Sequence, residues 1–184
     1  MSLSYLALLE RHHRHSVRLG GRDYAKAGRY FVTVCSKNKE CVFGEITDGK
    51  MKLSTLGEIV ADEWKKTPQI RPYVVLDAWV VMPNHMHGIF ILEDCPGTVG
   101  ARRRHAPTQR VFAQPIPDSL PTIINQFKGA VTRRIRALPG GYDGDVWQRN
   151  YHEHIIRNDA ELGQVRVYIR ENPRNWERDE ENMR

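Results

Sequence analysis

The chain reads as an α+β protein whose antiparallel β-sheet is covered by helices on one face. Three observations predict this. Strand-like runs come in clusters, three and then two, joined by turn-sized polar gaps rather than alternating singly with helices. The helical stretches are few and amphipathic, two of them opened by a capping signature. No segment repeats. A length of 184 residues suits one domain with a substantial core.

Residues 1–28 are set apart as a basic N-terminal arm, because "RHHRHSVRLGGRDY" is rich in Arg and His and broken by Gly-Gly. His12, His13 and His15 could ligate a metal there, although such an arm suits phosphate better. One domain is expected over 29–179, followed by a tail over 180–184. "YFVTVCS" (Tyr30 to Ser36), "CVFGEI" (Cys41 to Ile46) and "MKLS" after the turn "TDGK" predict a three-stranded antiparallel meander. Thr55 and Glu58 form a capping-box pattern. Leu56, Ile59, Val60 and Trp64 then follow at helical spacing, predicting a helix from Thr55 to Lys66 that stops before Pro68.

Two strong β runs follow, "YVVLDAWVVM" and "HGIFIL", with "PNHM" as the turn between them. This places His85 at the turn and lets His87 open the second strand. The next stretch, residues 94–120, is arginine- and proline-rich without periodicity, and is expected to be a mobile basic loop. Ile123, Phe127, Val131 and Ile135 recur every four residues and predict a second helix, whose other faces carry Lys128, Arg133, Arg134 and Arg136. "VWQ" and "YHEHIIR" read as extended. Asn158 with Glu161 makes another capping box, opening a last helix that runs to Pro173.

Composition bounds the function classes. No apolar run approaches the roughly 20 residues of a membrane helix, and Met1 to Leu9 lacks the features of a signal peptide, so a cytoplasmic protein without a membrane partner is expected. Cys35, Cys41 and Cys95 form no CxxC pair and argue against a disulfide framework or a cysteine-rich zinc site. The net charge of +6 is concentrated: between Ala101 and Arg136 there are eight Lys/Arg (Arg102, Arg103, Arg104, Arg110, Lys128, Arg133, Arg134, Arg136) against one acid, Asp118. A directed basic surface of this kind suits a polyphosphate partner, and a solvated face is the plainer alternative.

"MPNHMHGIF" carries the chemistry. His85 and His87 stand two residues apart, so in extended chain their imidazoles point to one side and supply half a metal site. In the last helix Gln164, Tyr168 and Asn172 share one stripe beside the apolar Leu162, Val165 and Ile169. Spacing alone leaves two readings open: a phenol beside a ligating amide, or a half-buried tyrosine followed by a helix-ending asparagine.

"VVMPNHMHGIF", "FKGAVTRRIR", "VWQRNYHEHIIRN" and "YIRENPRNW", in this order, resemble the single-tyrosine HUH (IS200-like) transposases, and among them the REP-associated tyrosine transposases. The likeness spans roughly Arg22 to Asp179. It implies a ferredoxin-like antiparallel sheet of the HUH endonuclease type, carrying the histidine pair. It also implies a divalent metal, Mg or Mn, held by His85, His87 and Asn172, with Tyr168 as nucleophile on single-stranded DNA beside a hairpin. An ordinary phenol has a pKa near 10 and needs such positioning to attack a phosphodiester. Tyr151 is the rival nucleophile. His154 and Gln164 are candidates for a supporting or phosphate-holding role, and Trp147 or Trp176 for base stacking. The basic residues from Arg102 to Arg136 would follow the DNA backbone. A non-catalytic module that binds hairpin DNA or RNA is the alternative, and a zinc hydrolase built from His85, His87 and His154 is a third reading. The chain could act as a monomer or a homodimer.

Overall fold

The computed structural model describes residues 27–93, 118–140, 142–179 and 181–182. The basic arm, Cys95, Arg102, Arg103, Arg104 and Arg110 lie outside the described residues. Strands β1 (Gly28–Cys35), β4 (Val74–Val81), β5 (His85–Leu92) and β6 (His152–Ile156) form the main sheet in the order β4-β5-β1-β6. All pairings are antiparallel. Strands β2 (Gly44–Thr47) and β3 (Lys50–Leu53) form a hairpin of their own between β1 and helix α1 (Thr55–Ile70). Helix α2 (Leu120–Arg136) lies between β5 and β6, and helix α3 (Asp159–Glu171) follows β6, leading into a 3₁₀ segment, Asn172–Arg178. Without the β2-β3 hairpin, the run from β1 to β6 has the βαββαβ order and the strand arrangement of a ferredoxin-like sheet, as expected.

The expected meander does not form. After β1 the chain turns through a short 3₁₀ turn in which Asn38 and Lys39 are left-handed, at φ 53° and 56°. Both edges of β1 are instead occupied by β5 and β6, which come from far along the chain. The turn within "TDGK" does form as read: Asp48 and Gly49 both take positive φ, 52° and 67°, the combination that a tight two-residue hairpin requires.

Helix α1 starts at Thr55, as expected, but its cap lies one residue before the one the capping box implied. Ser54, not Thr55, is the cap, its hydroxyl accepting from Gly57 N at 3.1 Å. The helix also continues through Pro68. A proline in the last turn forfeits only the bond its own N–H would have made, and Arg71 N still reaches Thr67 O at 2.9 Å. Asn158 caps α3 as read, its Oδ1 accepting from Glu161 N at 2.8 Å, but the Glu161 carboxylate accepts from Arg157 N rather than from Asn158 N, so only half of the capping box forms.

Helices cover both faces of the sheet rather than one. Alternation along the strands sends Tyr30, Val32, Val34, Met86 and Phe90 to one side, where they pack with Ile59, Val60 and Trp64 of α1 and Ile123, Phe127 and Val131 of α2. The opposite side is a smaller cluster of Phe31, Ile89 and Ile156 with Leu162, Val165 and Ile169 of α3. Arg166 locks α3 to β4 through a bidentate pair on Asp77, at 2.9 and 2.6 Å. That guanidinium's hydrogen bonds hold the Asp77 carboxyl below the usual carboxylate range. The larger cluster holds most of the buried apolar side chains, and the smaller one positions a single helix.

Candidate active site

His85 opens β5 and is part of the strand, where the sequence had placed it in the turn. Met82 N closes that turn on His85 O at 2.7 Å. In register, His85 stands opposite Cys35 and His87 opposite Thr33 on β1, while Val80 of β4 flanks His87 on its other side. Both imidazoles therefore project from the middle of the sheet toward α3. Both are buried, and their Nε2 atoms approach to 3.0 Å. Burial pushes each ring down to about 3, helped at His85 by the Lys39 ammonium and at His87 by its neighbour His85. Both are therefore neutral at pH 7, the form in which imidazole binds metals.

Each ring has a second partner on its far nitrogen. His85 Nδ1 meets Asn84 Oδ1 at 2.8 Å, and His87 Nδ1 meets the Thr33 hydroxyl at 2.8 Å. Tyr168 reaches across from α3. Its hydroxyl lies 3.3 Å from His87 Nε2, and its ring packs edge-on against Phe31, with centroids 6.0 Å apart. The site is thus assembled within one chain.

The far side is built by the 3₁₀ segment. Asn172, one turn beyond Tyr168, is buried and donates its amide to Asp179 Oδ2 at 2.7 Å. Asp179, His85 and His87 form a group whose ligand atoms all lie within 4.8 Å of one another. Asn172 Oδ1 is buried with no hydrogen-bond partner. An unpaired buried acceptor costs about 1–3 kcal/mol, a cost that a bound cation would remove. Two neutral nitrogens, a carboxylate and an orphaned amide oxygen suit a divalent ion of the Mn²⁺ or Zn²⁺ kind more than Mg²⁺. The residues present fit such an ion.

No family model matches the chain. It is 41% identical over 170 residues to an uncharacterized protein of Haemophilus influenzae, covering 92% of this chain and 93% of that one. It is 26% identical over 152 residues to the REP-associated tyrosine transposase of Escherichia coli, covering 83% and 70%. Among solved structures it aligns with a REP-associated tyrosine transposase bound to a REP hairpin, at TM-score 0.59 and 22% identity over 89% of this chain and 74% of that one. The chain is similar in sequence and in fold to REP-associated tyrosine transposases.

The positions singled out by the transposase resemblance do not all converge. Tyr168, His85 and His87 are brought together as described, and Asn172 joins them through its hydrogen bond to Asp179. His154 lies on the same sheet face, but its Nε2 holds Glu161 Oε1 at 2.6 Å, and Gln164 is exposed on α3. Tyr151 packs against the larger core, on the opposite face of the sheet from the histidines. Among the basic residues, Lys128 is drawn inward. Its Nζ donates to the backbone carbonyls of Gln148, Arg149 and Asn150, and burial lowers it to about 8. Arg134 pairs with Glu63 at 2.9 Å, whereas Arg133 and Arg136 are exposed. All four stand on α2, separated from the histidines by the sheet. Trp147 and Trp176 are both buried, the first against Phe43 and Phe127, the second against His85.

Sequence reasoning missed Thr33, Asn84 and Asp179. Asn84 stood beside His85 and could have been found. Thr33 meets His87 only through the pairing of distant strands, and Asp179 follows an irregular turn that leaves no periodic trace. Among the described residues no helix is long and apolar enough to cross a membrane.

Proposed function

We propose that the chain cleaves and rejoins single-stranded DNA beside a hairpin, through a 5′-phosphotyrosine on Tyr168. One observation carries this reading: the Tyr168 hydroxyl lies 3.3 Å from His87 Nε2, at the edge of a neutral pair of buried imidazoles. A divalent cation bound by His85, His87, Asn172 and Asp179 would withdraw charge from a phosphodiester and orient it. Tyr168, whose hydroxyl stands beside His87, would then be the nucleophile. Its oxygen forms the new P–O bond while the bond to the 3′-oxygen breaks. The phenol proton leaves to water, and the departing 3′-oxygen takes one up. The phosphotyrosine retains the diester linkage, so a second 3′-hydroxyl can reverse the step and join new ends without ATP.

The chain's own residues hold this geometry. The edge-on contact with Phe31 fixes the phenol ring, and the Arg166–Asp77 pair fixes the helix that carries it. Arg133 and Arg136 would meet the DNA backbone away from the scissile bond, raising affinity without reading sequence. Incubation with a single-stranded hairpin oligonucleotide and Mn²⁺ tests the reading. A protein–DNA band that survives denaturation is expected, lost in Tyr168→Phe and kept in Tyr151→Phe. The reverse pattern would move the nucleophile to Tyr151. Tight binding of every hairpin tried, with neither cut strand nor adduct, would leave a binding module in its place.

A further inference from the structure

The two imidazoles are not equivalent, and the hydrogen bonds behind them say how they differ. Asn84 Nδ2 donates to the backbone carbonyls of Lys39 at 3.1 Å and Glu181 at 2.7 Å. An amide nitrogen carries two hydrogens, so both are committed and the side chain's orientation is set. Its Oδ1 therefore faces His85 Nδ1, and because Oδ1 only accepts, Nδ1 carries the hydrogen. A neutral ring has one such hydrogen, so His85 Nε2 presents a bare lone pair. His87 Nε2, 3.0 Å away, must donate to it. His87 Nδ1 is then bare, and the Thr33 hydroxyl donates to it at 2.8 Å.

His85 is thus ready to bind a cation, while His87 holds a hydrogen on the nitrogen that must coordinate. For His87 to bind, that hydrogen leaves Nε2 and another arrives at Nδ1 by exchange with water. The ring stays neutral and no net proton is released. The neighbour on Nδ1 must then change from donor to acceptor. A hydroxyl can do this by rotating, since it has one hydrogen and two lone pairs; a backbone carbonyl or a carboxylate could not. Thr33 is buried at the centre of β1, paired with His87 on one side and His152 on the other.

We propose that Thr33 is a positioning residue whose hydroxyl reverses its hydrogen bond to His87 when a divalent cation enters, while Asn84 keeps His85 in one fixed tautomer. This rests on reading His85 and His87 as cation ligands. Two-bond ¹H–¹⁵N correlation spectra of the full chain, labelled at histidine nitrogen, test it directly. In EDTA, His85 should report hydrogen on Nδ1 and His87 hydrogen on Nε2. On titration with Zn²⁺, used as a diamagnetic probe, both should report hydrogen on Nδ1. Thr33→Val should weaken Zn²⁺ binding about 10- to 100-fold, the usual cost of losing a partner behind a metal-bound histidine, and Thr33→Ser should restore it. Finding His87 with hydrogen on Nδ1 before zinc is added overturns the inference, as does a folded Thr33→Val that binds like the wild type. The spectra of the unaltered protein decide the matter even where Thr33→Val fails to fold. If neither ring responds to zinc, the cation reading itself falls and this inference falls with it, a result distinct from binding without a tautomer change.

Discussion

Lowering the pH of the metal-free protein from 7 to 5 should remove about 4 kcal/mol of folding stability through His85 and His87 alone. In the unfolded chain both imidazoles protonate near 6.5, whereas burial keeps the folded rings neutral down to about 3. The folded value lies below the unfolded one, so as the pH falls the unfolded state binds protons that the folded state does not. Stability from this source is complete above pH 6.5 and is lost progressively between 6.5 and 3. Each ring contributes up to about 1.4 kcal/mol per pH unit, which comes to about 2 kcal/mol per ring by pH 5. Urea titrations in EDTA at pH 7 and pH 5 measure it, with the double variant His85→Gln, His87→Gln as reference. Carboxylates and the other histidines titrate in both proteins, so the difference isolates this pair. The wild type should lose about 4 kcal/mol more than the variant. Parallel losses would show that the rings are hydrated and protonate in the folded state, and the case for a dry, neutral ligand pair would fail.

Two further outcomes follow from the packing around the pair. A Cβ at Gly88 would stand 2.2 Å from Trp64 Cζ2, and that indole is held between Phe90 and Phe127, with centroids 4.4 and 5.3 Å away. Gly88→Ala should therefore cost about 1–3 kcal/mol in urea unfolding and, by displacing β5 beside His87, weaken Mn²⁺ binding measured by electron paramagnetic resonance. Asn172→Leu removes an unpaired buried oxygen along with the bond to Asp179. It should leave the Tm of the metal-free protein nearly unchanged while lowering Mn²⁺ affinity about tenfold or more.

Local pattern was legible and remote pairing was not. Ile123, Phe127, Val131 and Ile135 are all buried on one side of α2, as their spacing of four implied. The left-handed turn at Asp48 and Gly49, the cap at Asn158 and the shared face of His85 and His87 also follow from neighbours in sequence. Nothing in "YFVTVC", by contrast, states that its partners will be β5 and β6. Without that pairing Thr33 has no reason to meet His87. The end of α1 was misread because Pro68 forfeits its own bond back to the preceding turn, while the turn after it still closes through Arg71 N on Thr67 O. Lys128 was counted among surface cations although its ammonium caps three carbonyls, since charge says nothing of which way a long side chain folds.

The order of parts along the chain has a bearing on how such a protein decays. The four-stranded sheet is finished at Ile156, and the paired imidazoles, the threonine behind one and the asparagine beside the other are all encoded before that point. The phenol, the orphaned amide and the one carboxylate of the cluster, Asp179, come afterwards, on α3 and the segment that follows it. A gene copy truncated late would therefore surrender Tyr168, the proposed nucleophile, while keeping both helices of the larger core. Under the proposed function, losing the ability to cut would precede losing the scaffold, at the expense of an uncovered patch of Phe31, Ile89 and Ile156.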